Sequence, residues 1–400
     1  MLQGNISKSL VKFALPCILM RIIQNIYPLI DSIVVGKVLD TNSLSAVGIA
    51  TSLYSLFNET FLGLVSGFSI VASKKIGARD HKSVSAVFLN SAAVSLIVSA
   101  AFSIVGILFS ENMLLLLNTP NALMNTAREY LTVLLLGLIL NVLFSWISEM
   151  LRAVGNSKMP LILLLVSTVL HLLLLYPLTR EFGVIGTALA TLISYLISDI
   201  LGILLIKRSV PQFNILSVKN EVKLNGQTVK ECLKIGVPMA LTNLVVMVGV
   251  LILSFVTNNI GVAYISAYTV ASKIGYILTT PIFGFATAVS VFVSQNFGAR
   301  SYKRIESGVN FSLRLVGVIN ACIFLLVIFF SKAFLGFMLN NDKTAVQAAY
   351  LYLCIRCAST VVLTPAAIYK NILPAIGKPL FSTVSGFLEI GMRFLFPLAF

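Results

Sequence analysis

Pro16 to Gly36 reads PCILMRIIQNIYPLIDSIVVG. A run of this length can cross a bilayer, which takes about 20 apolar residues, yet it carries two prolines, Gln24, Tyr27 and one carboxylate, Asp31. A carboxylate in such a run is costly and marks a site that is used. At 100° per residue, Gln24, Tyr27, Pro28 and Asp31 fall within about one 100° sector, so they share a helix face. Pro28 has no backbone N–H and leaves the carbonyl near residue 24 without its helical donor. These residues predict a bent first helix with Pro28 as hinge. Its polar side would line a cavity, Gln24 and Tyr27 beside Asp31, and Asp31 would bind a proton or cation. Asp31 stands about five residues, roughly 8 Å, from the outer end of the run.

Outward from this stretch, the whole chain has the same character. It is 58% hydrophobic and 11% charged, with a mean hydropathy of +0.97, whereas a soluble domain is about 25% charged. Windows of about 19 residues give eleven apolar segments, near 10–36, 44–73, 84–109, 130–153, 160–179, 183–206, 232–257, 263–295, 309–330, 346–374 and 379–400. The fold class is therefore an all-α polytopic membrane protein. With the N-terminus inside, only Lys37, Arg128, Arg180, Lys332 and Lys343 face outward and most of the 29 basic residues lie on the cytoplasmic side. The net charge of +15 is then a topology signal and not a nucleic-acid face. Cys354 and Cys357 form a CxxC inside an apolar segment, where helix packing is the simpler role than redox or zinc chemistry. No pattern supplies a metal cluster, a phosphate-binding loop or a nucleophile triad, so neither an enzyme nor a cofactor is expected.

An internal repeat organises the chain. Leu10–Pro16 (LVKFALP) matches Cys232–Pro238 (CLKIGVP) at an offset of 222. Gly77-Ala78-Arg79 matches Gly298-Ala299-Arg300 at 221, and the same offset pairs Lys82 with Lys303 and Gly63 with Gly284. Ala153-Val154-Gly155 matches Ala375-Ile376-Gly377, and Tyr176-Pro177-Leu178 matches Phe396-Pro397-Leu398. A complete repeat holds six spans, an even number, so the two copies are parallel. The division expected is a six-helix lobe over 1–206, a cytoplasmic linker over 207–230, and a second lobe over 231–400. That second lobe has five helices, which predicts a twelfth helix missing from this sequence.

With the repeat in view, the chain resembles the multidrug and toxic compound extrusion (MATE) family, within the superfamily that also holds lipid-linked oligosaccharide flippases. The likeness rests on Pro16, Gln24 and Asp31 followed by Val35-Gly36, on Ala46-Val47-Gly48, on both Gly-Ala-Arg sites, on Leu151 to Pro160 (LRAVGNSKMP), on Gly183 to Thr191 (GVIGTALAT), and on Glu389 with Arg393. It implies twelve helices in two six-helix lobes that alternate between inward and outward openings around a central cavity. It also implies export of small organic compounds, cationic or amphipathic, in exchange for protons or sodium ions, from a multi-pass monomer in the plasma membrane. Asp31 would be the coupling carboxylate and Gln24 a cavity residue. Many members carry Asn-x-x-x-Asp-Pro in the fifth helix; here the matching positions are Leu172 and Tyr176 before Pro177. Tyr176 then faces the cavity in place of a carboxylate, and Glu149 and His171 are the candidate replacements.

Other readings compete at several positions. Glu389 and Arg393 at i and i+4 most simply neutralise each other as a structural ion pair. Glu149 stands one turn before Arg152, where pairing competes with substrate contact. A lone histidine among leucines either shuttles protons or makes a helix-to-helix hydrogen bond. The alternatives for the whole chain are a lipid-linked saccharide flippase and a truncated, non-transporting membrane protein. Small-molecule substrate and membrane lipid are the partners expected.

Overall fold

The computed structural model describes residues 1–209, 225–257, 262–339 and 342–399, side chains excepted at 207–209, 251–257, 262–266 and 392–399. Much of the 207–230 linker lies outside the described residues. Among the described residues there are thirteen helices and no strand. They are α1 (Ile6–Val38), α2 (Thr41–Gly77), α3 (His81–Leu108), α4 (Ser110–Leu116), α5 (Asn121–Leu136), α6 (Leu138–Ala153), α7 (Lys158–Ser209), α8 (Gly226–Thr257), α9 (Val262–Gly298), α10 (Tyr302–Met338), α11 (Lys343–Ala358), α12 (Thr360–Ala375) and α13 (Pro379–Ala399). In a bilayer every backbone polar group must be satisfied within the chain, and helices do this segment by segment. Six of these helices are long and apolar enough to cross a membrane alone.

The remaining segments are longer or more broken than a single rod. α7 has 52 residues, about 78 Å at 1.5 Å per residue, too long for one span. It turns back at Gly183, where φ 61 and ψ −139 suit a residue without Cβ. A Cβ at Gly186 would overlap the Leu178 carbonyl, so the second half of α7 lies directly on the first. The segments near 130–153 and 346–374, read as single spans, are each two helices: α5 and α6 meet at 44°, α11 and α12 at 50°. The bends fall at Gly137 and Ser359, 222 residues apart.

The repeat has the same local geometry in both copies. The left-handed residue after α2 is Arg79 (φ 57) and after α9 is Arg300 (φ 57), in each case two positions beyond the glycine that ends the helix. Asp80 N–H donates to the Lys75 carbonyl (3.1 Å) and Ser301 N–H to that of Asn296 (2.8 Å). Gly155 (φ 98) and Gly377 (φ 90) close α6 and α12 alike. Helix contacts repeat as well. Gly63 of α2 lies on the backbone of Met239 and Ala240 in α8, and Gly284 of α9 on the backbone of Ile18 in α1; both members of each pair are repeat equivalents.

Two compact units result, one of residues 1–25 with 245–400, the other of residues 26–244. Each boundary falls inside a helix, α1 after Asn25 and α8 after Leu244. The 26–244 unit has a core built from Val35, Ala46, Val47, Leu131, Leu135 and Ala188. In the other unit α9 is central and mostly buried, while α10 turns most of its surface outward. That outward surface is apolar, with Phe329, Phe330 and Phe337 exposed, as a lipid-facing helix requires.

Candidate functional site

Asp31 lies in the last third of α1 and is buried, 9% exposed, within the 26–244 unit. Its Oδ1 is 2.7 Å from Nε2 of His171, which is 1% exposed on the first half of α7. The Tyr27 ring, one turn before Asp31, lies on the imidazole with centroids 4.2 Å apart. On the far side of the imidazole, Nδ1 is 3.4 Å from Oγ1 of Thr191, on the second half of α7. The return of α7 at Gly183 therefore decides this site, because it sets Thr191 beside His171. The phenols of Tyr130 and Tyr195 are within electrostatic reach of Asp31.

A carboxylate and an imidazole in contact hold zero, one or two protons between them, with net charge −1, 0 or +1. Burial makes each of these states interact strongly with a nearby charge. The second imidazole nitrogen faces a hydroxyl 3.4 Å away, which can donate or accept, so Nδ1 keeps a partner whether or not it carries a proton.

Of the residues read from the sequence, Asp31, Tyr27 and His171 come together. Pro28 is exposed and α1 stays helical through it, with Ser32 Oγ donating to the Pro28 carbonyl at 2.9 Å. Gln24 is exposed and belongs to the other compact unit. Tyr176 is 54% exposed, because a five-residue step from His171 turns it about 140° around the helix. The helix-five residue on Asp31 is thus His171.

Glu149 is engaged elsewhere. Its Oε2 accepts from Ser69 Oγ of α2 at 2.9 Å and its Oε1 from Arg152 Nη2 at 2.8 Å, with all three side chains buried. Removing one partner of a buried ion pair costs about 3–5 kcal/mol, so Glu149→Ala is expected to lower the melting temperature by several degrees. Glu149→Gln, which retains the acceptor for Ser69, should lower it less in a thermal shift assay. Glu389 pairs with Lys370 at 3.4 Å; the Arg393 side chain lies outside the described residues. One residue of the site escaped the sequence reading, Thr191, which carried no signal apart from its motif.

Many helices long and apolar enough to cross a membrane, arranged as a sequence repeat with a buried carboxylate–imidazole pair, define a polytopic membrane protein of the transporter kind. The profile of the MatE family matches residues 16–176 and 238–397, one block in each repeat, and the chain belongs to that family. The probable multidrug resistance protein YoeA of Bacillus subtilis is 26% identical over 390 residues, which are 96% of this chain and 84% of that protein. The multidrug export protein MepA of Staphylococcus aureus is 22% identical over 97% of this chain and 85% of its own length. Among solved structures, an outward-facing multidrug resistance MATE family transporter of the MOP superfamily superposes with a TM-score of 0.88 at 22% identity. That match covers 99% of this chain and 90% of the other. A mutant of the Vibrio cholerae MATE transporter VcmN gives a TM-score of 0.90 at 19% identity, over 96% of this chain and 87% of the other.

Proposed function

We propose that the protein is a secondary efflux antiporter that expels small organic compounds, cationic or amphipathic, by alternating access. The Asp31–His171 pair couples export to entry of a monovalent cation. The single observation that carries this reading is the buried 2.7 Å contact between the two side chains. Relatives named for multidrug resistance or export over nearly the whole chain support the substrate class. Proton loss leaves the pair negative and attractive to an organic cation; proton gain reverses this, so the two ligands exclude one another. The imidazole partner favours a proton over sodium as the coupling ion. The distribution of basic residues supports an N-terminus in the cytoplasm of a cell whose plasma membrane holds the protein. One charge crossing 100 mV supplies about 2.3 kcal/mol, or about fiftyfold accumulation.

Efflux of a fluorescent cationic dye from proteoliposomes, with proton and sodium gradients imposed separately, tests this function. The expected result is dye export driven by the proton gradient alone. Export driven only by sodium would reassign the ion. No dye export under either gradient, with translocation of a lipid-linked saccharide, would overturn the reading in favour of a flippase.

A further inference from the structure

Arg356 stands in the last turn of α11, three residues before the bend at Ser359, in the unit that holds 245–400. The bend lies midway along the α11–α12 pair, between two helices of 16 residues each. Along the helices Arg356 is about 20 Å from Lys343 and about 28 Å from Ala375, farther than a snorkelling side chain reaches. Its guanidinium lies over the Tyr276 ring of α9, with Cζ 4.9 Å from the centroid, and Nη1 donates to the Tyr352 hydroxyl at 3.5 Å. The Tyr352 ring meets Tyr268 of α9 edge to face, with centroids 5.6 Å apart. Nε is enclosed and has no acceptor among the described residues. No carboxylate among the described residues pairs with Arg356. α9 packs on both α11 and α12, and these three helices contain no Asp or Glu, while they carry Lys273, Lys343, Arg356 and Lys370.

The fold does not require this charge. In the other copy of the repeat the position of Arg356 is taken by Leu134, 222 residues earlier, buried in a hydrophobic core. Gly275 corresponds, at the offset of 221, to Tyr54, which packs on that same core. A Cβ on Gly275 would meet Arg356 Cδ at 2.5 Å and Nε at 2.7 Å, so the arginine stem occupies the room that the glycine leaves. Tyrosine with leucine in one copy is thus exchanged for glycine with arginine in the other, whereas Tyr130 and Tyr352 match. We propose that Arg356, with Tyr276 and Tyr352, binds the carboxylate of an organic anion that has an aromatic or apolar body. A cation inside a membrane segment without a counter-charge is costly and marks a site that is used. A carboxylate supplies the missing charge and accepts from guanidinium N–H groups in the paired geometry that arginine favours. The Tyr276 ring is exposed and offers apolar surface to the body of the ligand. Lipid phosphates share the chemistry of the carboxylate but lie at the ends of a span, so the site suits a soluble anion.

The site does not rest on the Asp31–His171 coupling, because binding is read without a gradient. Isothermal titration of 2-naphthoate into the purified full chain in phosphatidylcholine nanodiscs, with empty discs as blank, tests it. Saturable binding is expected, with an affinity that Arg356→Gln lowers by about tenfold or more, as loss of a hydrogen bond to a charged group requires. Arg356→Lys should lower it less. Neutral 2-naphthamide should bind the wild type and Arg356→Gln alike, which separates loss of charge from loss of fold. Equal affinity of wild type and Arg356→Gln for 2-naphthoate would overturn the proposal. Where glutamine impairs folding, so would equal affinity in Arg356→Lys, which lacks the paired donors. Absence of saturable binding to the wild type would also overturn it, as would loss of binding when phosphatidylglycerol is included in the discs, which would assign the guanidinium to a lipid headgroup.

Discussion

Asp31→Asn is expected to reduce gradient-driven dye efflux to the level of liposomes without protein, while the variant still inserts and melts as a folded bundle. Asparagine keeps the shape and a hydrogen bond to His171, so the loss isolates the exchangeable proton from the contact itself. The histidine variants refine this. A hydrogen bond to a charged group contributes about 1.5–3 kcal/mol, so His171→Ala should lower efflux by roughly tenfold to a hundredfold and leave Asp31 buried without its partner. His171→Gln restores a donor at a similar reach but cannot carry a proton. It is expected to recover stability in a thermal shift assay without recovering efflux. A double variant, Asp31→Asn with His171→Gln, should be no worse than Asp31→Asn alone, since both act on one exchangeable site. Efflux at the wild-type rate in Asp31→Asn would remove the pair from the transport cycle.

The second large effect is structural. Gly67 of α2 meets Gly236 of α8 backbone to backbone, so closely that a Cβ on Gly67 would overlap the Gly236 backbone and come within 2.9 Å of the Ile235 carbonyl carbon. One turn earlier, a Cβ on Gly63 would lie 2.6 Å from the Met239 carbonyl oxygen and 2.8 Å from Ala240 Cα. Glycines four apart allow membrane helices to approach in this way and gain contact along the seam. No rotamer change relieves a clash with backbone, so Gly67→Ala should separate the helices locally and cost about 1–3 kcal/mol. Gly67→Leu should prevent recovery of folded protein from membranes. Gly48→Ala is the control, because the space around that glycine is open. Size-exclusion profiles and thermal shift on the three variants measure this, and equal recovery of Gly67→Leu and Gly48→Ala would exclude the tight α2–α8 seam.

Hydropathy and repeat spacing in the chain were sufficient for the fold class, because both report properties that each segment carries locally. An apolar run must be helical in a bilayer, and matched sequences make matched turns, as the paired Arg79 and Arg300 backbones show. The face of α1 that holds Tyr27 and Asp31 was legible for the same reason: helical periodicity acts within one segment. The partner of Asp31 was not legible. His171 lies 140 residues away, and choosing it over Tyr176 required the rotation of α7 about its own axis, which packing sets. Nor could a residue count show that Glu149 spends both oxygens on Ser69 and Arg152. Sequence alone determined that this chain is a repeated bundle of membrane helices with a carboxylate on its first helix. Tertiary structure alone decided which buried polar groups share a site, since that depends on helix rotation and the return at Gly183, and those follow from side-chain packing between distant segments.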